Sequence, residues 1–227
     1  MDTAPLDEAT WKQRLAAGAA ELGVRLDESQ VDLLWRYGVM LRERNEHMNL
    51  TSIVSPEGIL QLHMLDSLTL VPHLGDAQRI IDVGTGGGFP GIPLAVAQPQ
   101  REFTLIDGTQ KKIRFVAESI VALDIRNARA LAARAESYEG EKDFDLVVVR
   151  AVGSLADVLH NAGHLVGPDG RLLAMKGRLN DEEINAVPRG WSGEVFSLRI
   201  PGLDAERHLV ALTRHKAAPR PGKPAQK

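Results

Sequence analysis

The sequence has 227 residues, of which 44% are hydrophobic and 25% charged, and its formal net charge is −3. This balance is typical of a globular protein and excludes a mainly disordered chain or a coiled-coil rod. Cysteine is absent, which excludes disulfides, zinc–thiolate sites and a cysteine nucleophile, and the lack of a long apolar run or a basic, apolar leader predicts a cytoplasmic protein with no membrane partner.

Residues 1–76 are predicted to form a helical extension, because their apolar residues recur at spacings of three and four. One predicted helix carries Val31, Leu34, Trp35, Gly38 and Leu41 on one face, and a second carries Ile59, Leu62, Leu65 and Leu68. Turn-forming residues separate the two predicted helices at residues 49–52 and at Ser55-Pro56. The extension is therefore expected to precede the main domain as at least two packed helices.

From residue 77 to residue 215, short apolar runs alternate with segments whose apolar residues have helical spacing. We take this range as the second domain. Strands are predicted at 79–83, 102–107, 127–131, 144–149, 171–175, 194–200 and 208–213. Thr109 is predicted to begin a helix that reaches about Leu123, Ser154 to begin another, and Pro168-Asp169-Gly170 to turn the chain into the fifth strand. This alternation predicts an α/β fold with a mostly parallel seven-stranded sheet and helices on both faces.

Two features complete the predicted organisation. No helix separates the last two strands, so they are expected to pair antiparallel. The tail at residues 216–227 has three prolines, four basic residues and no acidic residue. This composition predicts a disordered basic tail.

The most informative motif is a glycine-rich loop directly after the first predicted strand. Asp82, Gly84, Gly86 and Gly88 alternate with other residues, a spacing associated with S-adenosylmethionine sites, and glycines at such a turn let the backbone approach a ligand closely. A second register of the loop, starting at Gly86, also satisfies the G-x-G-x-x-G fingerprint of dinucleotide sites. The glycines alone leave both cofactor classes open.

Position within the fold bears on this choice. In a dinucleotide fold the first glycine directly follows the first strand, and that residue here is Gly84, which places Phe89 where the third glycine belongs. Asp107 ends the second predicted strand, where an acidic residue can accept hydrogen bonds from ribose hydroxyls. Both cofactor classes use such an acid, so Asp107 indicates an adenosine nucleoside without distinguishing between them.

Together these segments resemble class I S-adenosylmethionine-dependent methyltransferases, and more closely the RsmG/GidB family of bacterial 16S rRNA (guanine-N7) methyltransferases. The resemblance extends from about residue 26 to residue 214. It is carried by residues 49–53, 63–68, 82–93, 149–151, 176–177 and 206–210, and the continuation of the glycines as Phe-Pro-Gly-Ile-Pro is its most specific part. Leu62 departs from the family pattern, in which an arginine is expected before the histidine, so an RNA contact at this position is absent or moved.

The resemblance implies S-adenosylmethionine as cofactor and, as target, the 530 loop of 16S rRNA in the small subunit or an assembly intermediate. Nothing in the sequence demands more than a monomer. It implies that Gly84 and Phe89 line the cofactor and that Ala135 and Glu136 meet its adenine. Arg150 would reach the cofactor carboxylate or the target nucleotide. With the glycine spacing and the position of Asp107, the candidate cofactor-binding residues are Gly84, Gly86, Gly88, Phe89, Asp107, Ala135, Glu136 and Arg150.

The implied reaction needs no catalytic residue in the strict sense. Guanine N7 carries a free lone pair and no proton, so no general base is required, and alignment of the reacting atoms is the work that remains. His63 is accordingly expected to be a packing residue and Asp82 to brace the glycine loop. Asp66, within a helix, is expected to cap it or to bind a neighbouring segment. No metal-ligand spacing is found among the histidines.

Several alternatives stay open from the sequence. A methyltransferase acting on a small molecule and an NAD(P)-dependent oxidoreductase would share parts of the glycine loop, and an RNA-binding module without turnover could keep the fold. The net charge of −3 predicts that nucleic acid is bound only through a local patch or by docking on a larger particle. Lys111, Lys112, Arg114, Lys176 and Arg178 are candidate phosphate contacts.

Overall fold

The computed structural model describes residues 6–150 and 153–215 of the chain. Its main helices are α1 (Glu8–Glu21), α2 (Glu28–Met48), α3 (built from Pro56–Ile59, the π-helical stretch Leu60–Leu65 and Asp66–Leu68), α4 (Gly91–Ala97), α5 (Gln110–Ala122), α6 (Leu155–Ala162) and α7 (Asp181–Asn185). Short 3-10 turns lie at Val71–His73, Ala135–Ser137 and Gly163–Leu165. No helix within the described residues is long and apolar enough to cross a bilayer.

Side-chain caps define the ends of the first helices. Asp27 and Gln30 form a reciprocal capping box at the start of α2, with Asp27 accepting from the Gln30 amide at 2.9 Å. Asn49 ends α2 in the left-handed conformation at φ 49°, and Ser55 caps α3 by accepting from the Gly58 amide at 3.0 Å. The predicted break between the two helices is therefore confirmed.

Seven strands form one sheet in the order β3-β2-β1-β4-β5-β7-β6. Their bounds are β1 (Arg79–Val83), β2 (Glu102–Asp107), β3 (Ala128–Ala132), β4 (Phe144–Arg150), β5 (Val166–Lys176), β6 (Trp191–Ile200) and β7 (Leu203–Arg214). The first five strands are parallel, whereas β7 is antiparallel to both β5 and β6. The predicted fold class, a mostly parallel seven-stranded sheet with helices, is confirmed, as is the antiparallel final pair.

The prediction for the fifth strand was wrong. Pro168-Asp169-Gly170 was expected to be a turn that precedes the strand, but β5 already begins at Val166. Phe144 of β4 pairs with Val166 and Leu146 pairs with Arg171, so β5 advances five positions while β4 advances two. The turn-forming residues are therefore accommodated as a bulge inside the strand. The predicted tail at 216–227 lies outside the described residues, and α7 was not predicted.

The two faces of the sheet carry separate apolar clusters. Alternate residues of each strand point to opposite faces, so Ile80 joins one cluster and its neighbour Ile81 joins the other. The first cluster contains buried residues of α1 to α5, which places the N-terminal helices on the same face as α4 and α5. The second contains residues of α6 and of the Ala135–Ser137 turn. The helical extension is thus packed into the main core.

Candidate active site

Parallel strand pairing brings the candidate residues of three strands to one edge of the sheet. Val83, the last residue of β1, is in register with Ile106 of β2 and with Val149 of β4. The next residue along each strand is Gly84, Asp107 and Arg150, respectively. Because open α/β sheets bind ligands at the carboxyl ends of their strands, this edge is the candidate active site.

The glycine loop is held against the neighbouring strand and has an open side. The amides of Gly84 and Thr85 both donate to the carbonyl of Ile106, at 2.9 and 3.0 Å. Gly84 and Gly86 have φ values of 73° and 59°, which favour glycine. A Cβ added to Gly86 would find its nearest neighbour, the Gly84 carbonyl oxygen, 3.9 Å away. The loop therefore leaves room beside its backbone for a ligand.

Asp107 connects the glycine loop to helix α5. One carboxylate oxygen accepts from the Gly86 amide at 3.0 Å, and the other accepts from the Thr109 amide at 2.7 Å. The residue is half-buried, and each oxygen keeps a further lone pair. Asp107 is thus positioned both to fix the loop and to accept hydrogen bonds from a bound hydroxyl.

Asp82 lies beneath the same loop and is 1% exposed. Its Oδ2 accepts from the Thr85 hydroxyl at 2.6 Å and from the Gly91 amide at 2.8 Å, which ties the end of β1 to the start of α4 as the sequence predicts. Its Oδ1 has no hydrogen-bond partner among the described residues. Burial raises the pKa of Asp82 to about 6, against the lowering effect of the two hydrogen bonds.

Gly88 and Phe89 face the helical extension. The Tyr37 hydroxyl of α2 donates to the Gly87 carbonyl and occupies the space that a Cβ on Gly88 would need. Phe89 is 2% exposed, and its ring stacks on His63 with centroids 4.2 Å apart and packs against Tyr37 at 5.6 Å. These two residues therefore connect the loop to α2 and α3, and a direct cofactor contact of Phe89 stays a prediction.

Ala135 and Glu136 occupy the 3-10 turn that follows β3. The Ala133 amide donates to the Asp107 carbonyl at 3.1 Å, which brings this segment beside the end of β2. Ala135 is buried within the second apolar cluster, whereas Glu136 is exposed and lies 3.9 Å from Arg134. The structure therefore places the pair on the Asp107 side of the edge, separated from Arg150 by β1.

Arg150 lies in a cleft between β4 and α3. Its Nη1 donates to the Leu62 carbonyl at 3.2 Å and lies 3.5 Å from Asp66 Oδ2, while its guanidinium carbon is 5.3 Å from the centroid of the Phe89 ring. It lines a cavity of about 380 Å³ together with side chains of α3, β5, β6 and β7. Leu62, where the family resemblance led us to expect arginine, supplies part of the cavity wall.

His63 is a packing residue, as the sequence analysis predicts. Its Nε2 is 2.9 Å from the Thr51 hydroxyl, and its ring stacks on Phe89. Burial and the nearby charge of Arg150 lower the pKa of His63 to about 3. The imidazole is therefore neutral throughout the physiological range.

Three further residues belong to this region, and of these the sequence singles out only Asp66. Tyr37 contacts the loop from α2, Asp66 faces Arg150 from α3, and Arg207 extends from β7 to within 3.4 Å of Asp66. The contact of Asp66 with a neighbouring segment is as expected, and its partners Arg150 and Arg207 are identified by the structure. Nothing in the sequence signals the contact of Tyr37, because it depends on how the extension docks.

The candidate phosphate contacts differ in their surroundings. Lys176 donates to the Gly153 carbonyl at 2.6 Å and pairs with Glu183 at 2.5 Å, so its charge is matched within the protein. Lys111 and Arg114 are exposed on α5. In the part of the chain that is described, no three His, Asp or Glu side chains are grouped to hold a metal ion.

A protein-family model, GidB (rRNA small subunit methyltransferase G), matches residues 30–210 of the chain. Among curated proteins, a ribosomal RNA small subunit methyltransferase G from Chromobacterium violaceum is 42% identical over 199 residues, which cover 87% of this chain and 95% of the relative. The matched region includes the glycine loop, Asp107, Asp66, Arg150 and Arg207.

Solved structures resemble the fold at low sequence identity. A SAM-dependent methyltransferase from Aquifex aeolicus aligns with a TM-score of 0.55 at 14% identity, covering 72% of this chain and 96% of the other. A SAM-dependent O-methyltransferase from Thermotoga maritima aligns with a TM-score of 0.54 at 15% identity, covering 79% and 73%. These similarities concern the architecture of the sheet and its helices.

Proposed function

The chain belongs to the rRNA small subunit methyltransferase G family, and from this premise we propose that it transfers a methyl group from S-adenosylmethionine to N7 of a guanine in the 530 loop of 16S rRNA. The observation that carries the proposal is the extent of the family match, residues 30–210. That range contains most of the helical extension and the carboxyl edge of the sheet. It therefore includes the glycine loop, Asp107 and the cavity lined by Arg150.

The residues at the sheet edge fit the proposed cofactor. When bound, S-adenosylmethionine supplies a methyl group on a positively charged sulfur. The open side of Gly86 leaves room for close approach to the backbone, and Asp107 retains acceptor capacity for ribose hydroxyls. Ala135 and Glu136, at the end of the neighbouring strand, are the proposed adenine contacts. The proposed cofactor side is therefore the carboxyl edge of β1–β3 together with Arg150 at the end of β4, and the proposed substrate side is the cavity towards β5–β7.

The side chains around the cavity suit a reaction that moves no proton. Guanine N7 has a free lone pair, so attack on the methyl group requires alignment and no general base. His63 is neutral, hydrogen-bonded to Thr51 and stacked on Phe89, which leaves it poorly suited to proton transfer. Asp66 lies between Arg150 and Arg207. The lining side chains therefore support a cavity that positions the guanine without taking a proton from it.

The charge distribution supports a structured substrate. The whole chain is slightly acidic, at −3, while arginines and a lysine line the cavity beside the sheet edge. We propose a monomeric cytoplasmic enzyme that acts on 16S rRNA within the small subunit or an assembly intermediate. Weak binding to random duplex RNA at physiological salt is expected, because sequence-blind binding scales with the number of neutralised phosphates.

The decisive test is methyl transfer from labelled S-adenosylmethionine to small ribosomal subunits that lack the modification, followed by nucleoside analysis. Label in 7-methylguanosine at one position of the 530 loop is the expected result. Label on free metabolites with none on rRNA would favour a small-molecule methyltransferase. The Arg150→Ala variant is expected to lose transfer, with Arg126→Ala as its control, because Arg126 is an exposed residue paired with Asp124.

A further inference from the structure

Asp66 is a buried carboxylate whose acceptor sites are mostly unfilled. Its side chain is 7% exposed, lies on α3 and forms part of the cavity wall. Oδ2 accepts one long hydrogen bond from Arg150 Nη1 at 3.5 Å, and Oδ1 has no hydrogen-bond partner among the described residues. An ionised carboxylate offers about four acceptor sites, shared equally between its oxygens. Both sites of Oδ1 are therefore unfilled.

The unfilled oxygen indicates a ligand that brings N–H donors. Leaving a buried acceptor without a donor costs free energy, so nearly all such groups in native proteins have a partner and an exception needs a physical explanation. Burial raises the pKa of Asp66, whereas the charges of Arg150 and Arg207 oppose that rise and favour the carboxylate. The cavity wall therefore holds a charged acceptor that is sheltered from water.

The charges around the cavity are balanced, which favours an uncharged ligand over an anion. The wall contains three lysine and arginine side chains, and each has an acidic partner. These partners are Glu183 for Lys176, Asp66 for Arg207, and both Asp66 and the buried Asp82 for Arg150. Three cations thus face three carboxylates, so a ligand of the cavity needs polar donors and no net charge.

The size and the remaining walls of the cavity suit a flat heterocycle. Its volume of about 380 Å³ is within the range of small-ligand sites, which is about 300–1,000 Å³. Apolar side chains supply much of the wall, namely Ile53, Leu62, Met175 and Leu198. Enzymes that modify a base in RNA or DNA take it out of the stack, enclose it between apolar or aromatic side chains and read its Watson–Crick edge through hydrogen bonds. The cavity has both components of such a site.

A carboxylate distinguishes guanine from the other RNA bases. The Watson–Crick edge of guanine presents two neighbouring donors, N1–H and the 2-amino group, which match the two oxygens of a carboxylate. Adenine and cytosine place a ring-nitrogen acceptor beside their amino group, and uracil places its one N–H between two carbonyl acceptors. Contacts at N1 and the 2-amino group also leave N7 free, because N7 lies on the Hoogsteen edge of the base.

We propose that Asp66 is the specificity-determining residue for the target base, and that its carboxylate accepts hydrogen bonds from N1–H and the 2-amino group of a guanine held in this cavity. The inference rests on the proposed function, and it leaves Arg150 on the cofactor side. Arg207 Nε lies 3.4 Å from Asp66 Oδ1 without forming a hydrogen bond. The base therefore takes the place of Arg207 at this oxygen without breaking a hydrogen bond.

The kinetic test compares small subunits reconstituted with guanosine or with inosine at the target position. Inosine keeps N7, O6 and N1–H and lacks only the 2-amino group. At saturating S-adenosylmethionine, the full chain is expected to have a kcat/KM for inosine about tenfold or more below that for guanosine, because one hydrogen bond to a charged group is lost. Equal kcat/KM values for the two substrates would overturn the proposal, and this comparison needs no variant.

The Asp66→Asn variant assigns the discrimination to one residue. It replaces one acceptor by a donor and removes the charge, so the preference for guanosine over inosine is expected to fall below about threefold. Each ratio compares two substrates on one protein, so changes in folding or cofactor binding cancel. Asp145→Asn is the matched control at the amino end of the sheet, where Asp145 accepts from the Gln78 and Arg79 amides, and it should keep the full preference. A tenfold preference retained in Asp66→Asn would overturn the role.

A binding test that needs no activity separates this inference from the proposed function. Guanosine, 7-deazaguanosine and inosine are compared at millimolar concentration by thermal shift, with S-adenosylhomocysteine filling the cofactor site. The first two are expected to stabilise alike, because the contact does not use N7, and inosine to stabilise less, with the difference lost in Asp66→Asn. No stabilisation by guanosine, or equal effects of guanosine and inosine, would overturn the guanine site. This preference without methyl transfer to subunits would overturn the proposed function and support the site.

Discussion

Asp82 is a carboxylate whose surroundings favour its protonated form. The residue is fully buried beneath the glycine loop, and only one of its oxygens has hydrogen-bond donors among the described residues. Burial raises the pKa of Asp82 from 3.8 to about 6. The folded protein therefore holds this proton over a pH range in which the unfolded chain has already released it. The contribution of Asp82 to stability is full below about pH 4 and declines as the pH rises towards about 6.

The Asp82→Asn variant tests this directly. The amide oxygen can replace Oδ2 as acceptor for Thr85 and Gly91, and the variant carries no charge. Wild type is expected to lose about 2 kcal/mol of unfolding free energy relative to Asp82→Asn between about pH 4.5 and about pH 7.5. Urea denaturation at both pH values measures the difference. A difference that is constant with pH would show that Asp82 ionises freely.

Asp107 links the glycine loop to α5 through both oxygens of its carboxylate. In Asp107→Asn the amide nitrogen replaces one acceptor and faces an N–H of Gly86 or Thr109, so one of the two bonds is lost. We expect the Kd of S-adenosylmethionine to rise about tenfold, equivalent to about 1.4 kcal/mol. Calorimetry checks this, with Asp124→Asn on an exposed turn as the control that should bind normally. An unchanged Kd in Asp107→Asn would remove Asp107 from the cofactor site.

At the scale of elements, the glycine loop and α2 are packed so closely that each constrains the other. A side chain at Gly88 would collide with the Tyr37 hydroxyl, and φ at Gly88 is 88°. Leu41 of the same helix lies 3.3 Å from the position of a Cβ on Gly87. The helical extension therefore helps to set the shape of the loop at the proposed cofactor site.

The Gly88→Ala variant is expected to lose about 3 kcal/mol of stability, from overpacking together with backbone strain. Gly23→Ala is the control that measures backbone strain alone, because φ at Gly23 is 74° and nothing lies within 4 Å of the added Cβ. This variant is expected to lose about 1 kcal/mol of unfolding free energy. Removing the hydroxyl with Tyr37→Phe should make the Gly88→Ala/Tyr37→Phe double variant less destabilised than the sum of the single variants. Strict additivity in urea unfolding would contradict the contact.

The sequence predicted strands best where their ends are chemically marked. The bounds predicted for β1 and β2 are confirmed. Each of these strands is followed directly by a glycine, Gly84 after β1 and Gly108 after β2, which marks its end in the sequence. The fifth strand was predicted to start too late, since pairing with β4 resumes beyond a bulge that local residue types present as a turn. The edge shared by Gly84, Asp107 and Arg150 followed from parallel pairing. The contacts of Tyr37 and Asp66 did not, because they depend on the docking of separate helices.

At the scale of the whole molecule, cofactor binding should appear as stabilisation. A ligand that binds only the folded state adds about 2.7 kcal/mol at a concentration one hundred times its Kd. For a chain of this size that corresponds to a rise of about 5–10 °C in melting temperature. S-adenosylmethionine is expected to raise the melting temperature by this amount in thermal unfolding. NAD at the same concentration is expected to leave the melting temperature unchanged. The opposite pattern would favour the dinucleotide register of the glycine loop.

The position of β7 within the sheet has a consequence for how the protein is made. β7 is the last strand of the described chain, yet it pairs with β5 on one side and β6 on the other. Because translation starts at the N-terminus, the edge of β5 that pairs with β7 stays unpaired until β7 has left the ribosome. The glycine loop, Asp107 and Arg150 are synthesised long before Arg207. A nascent chain therefore contains the residues of its proposed cofactor side early, and the residues that complete the cavity, Arg207 and His208, only near the end of synthesis.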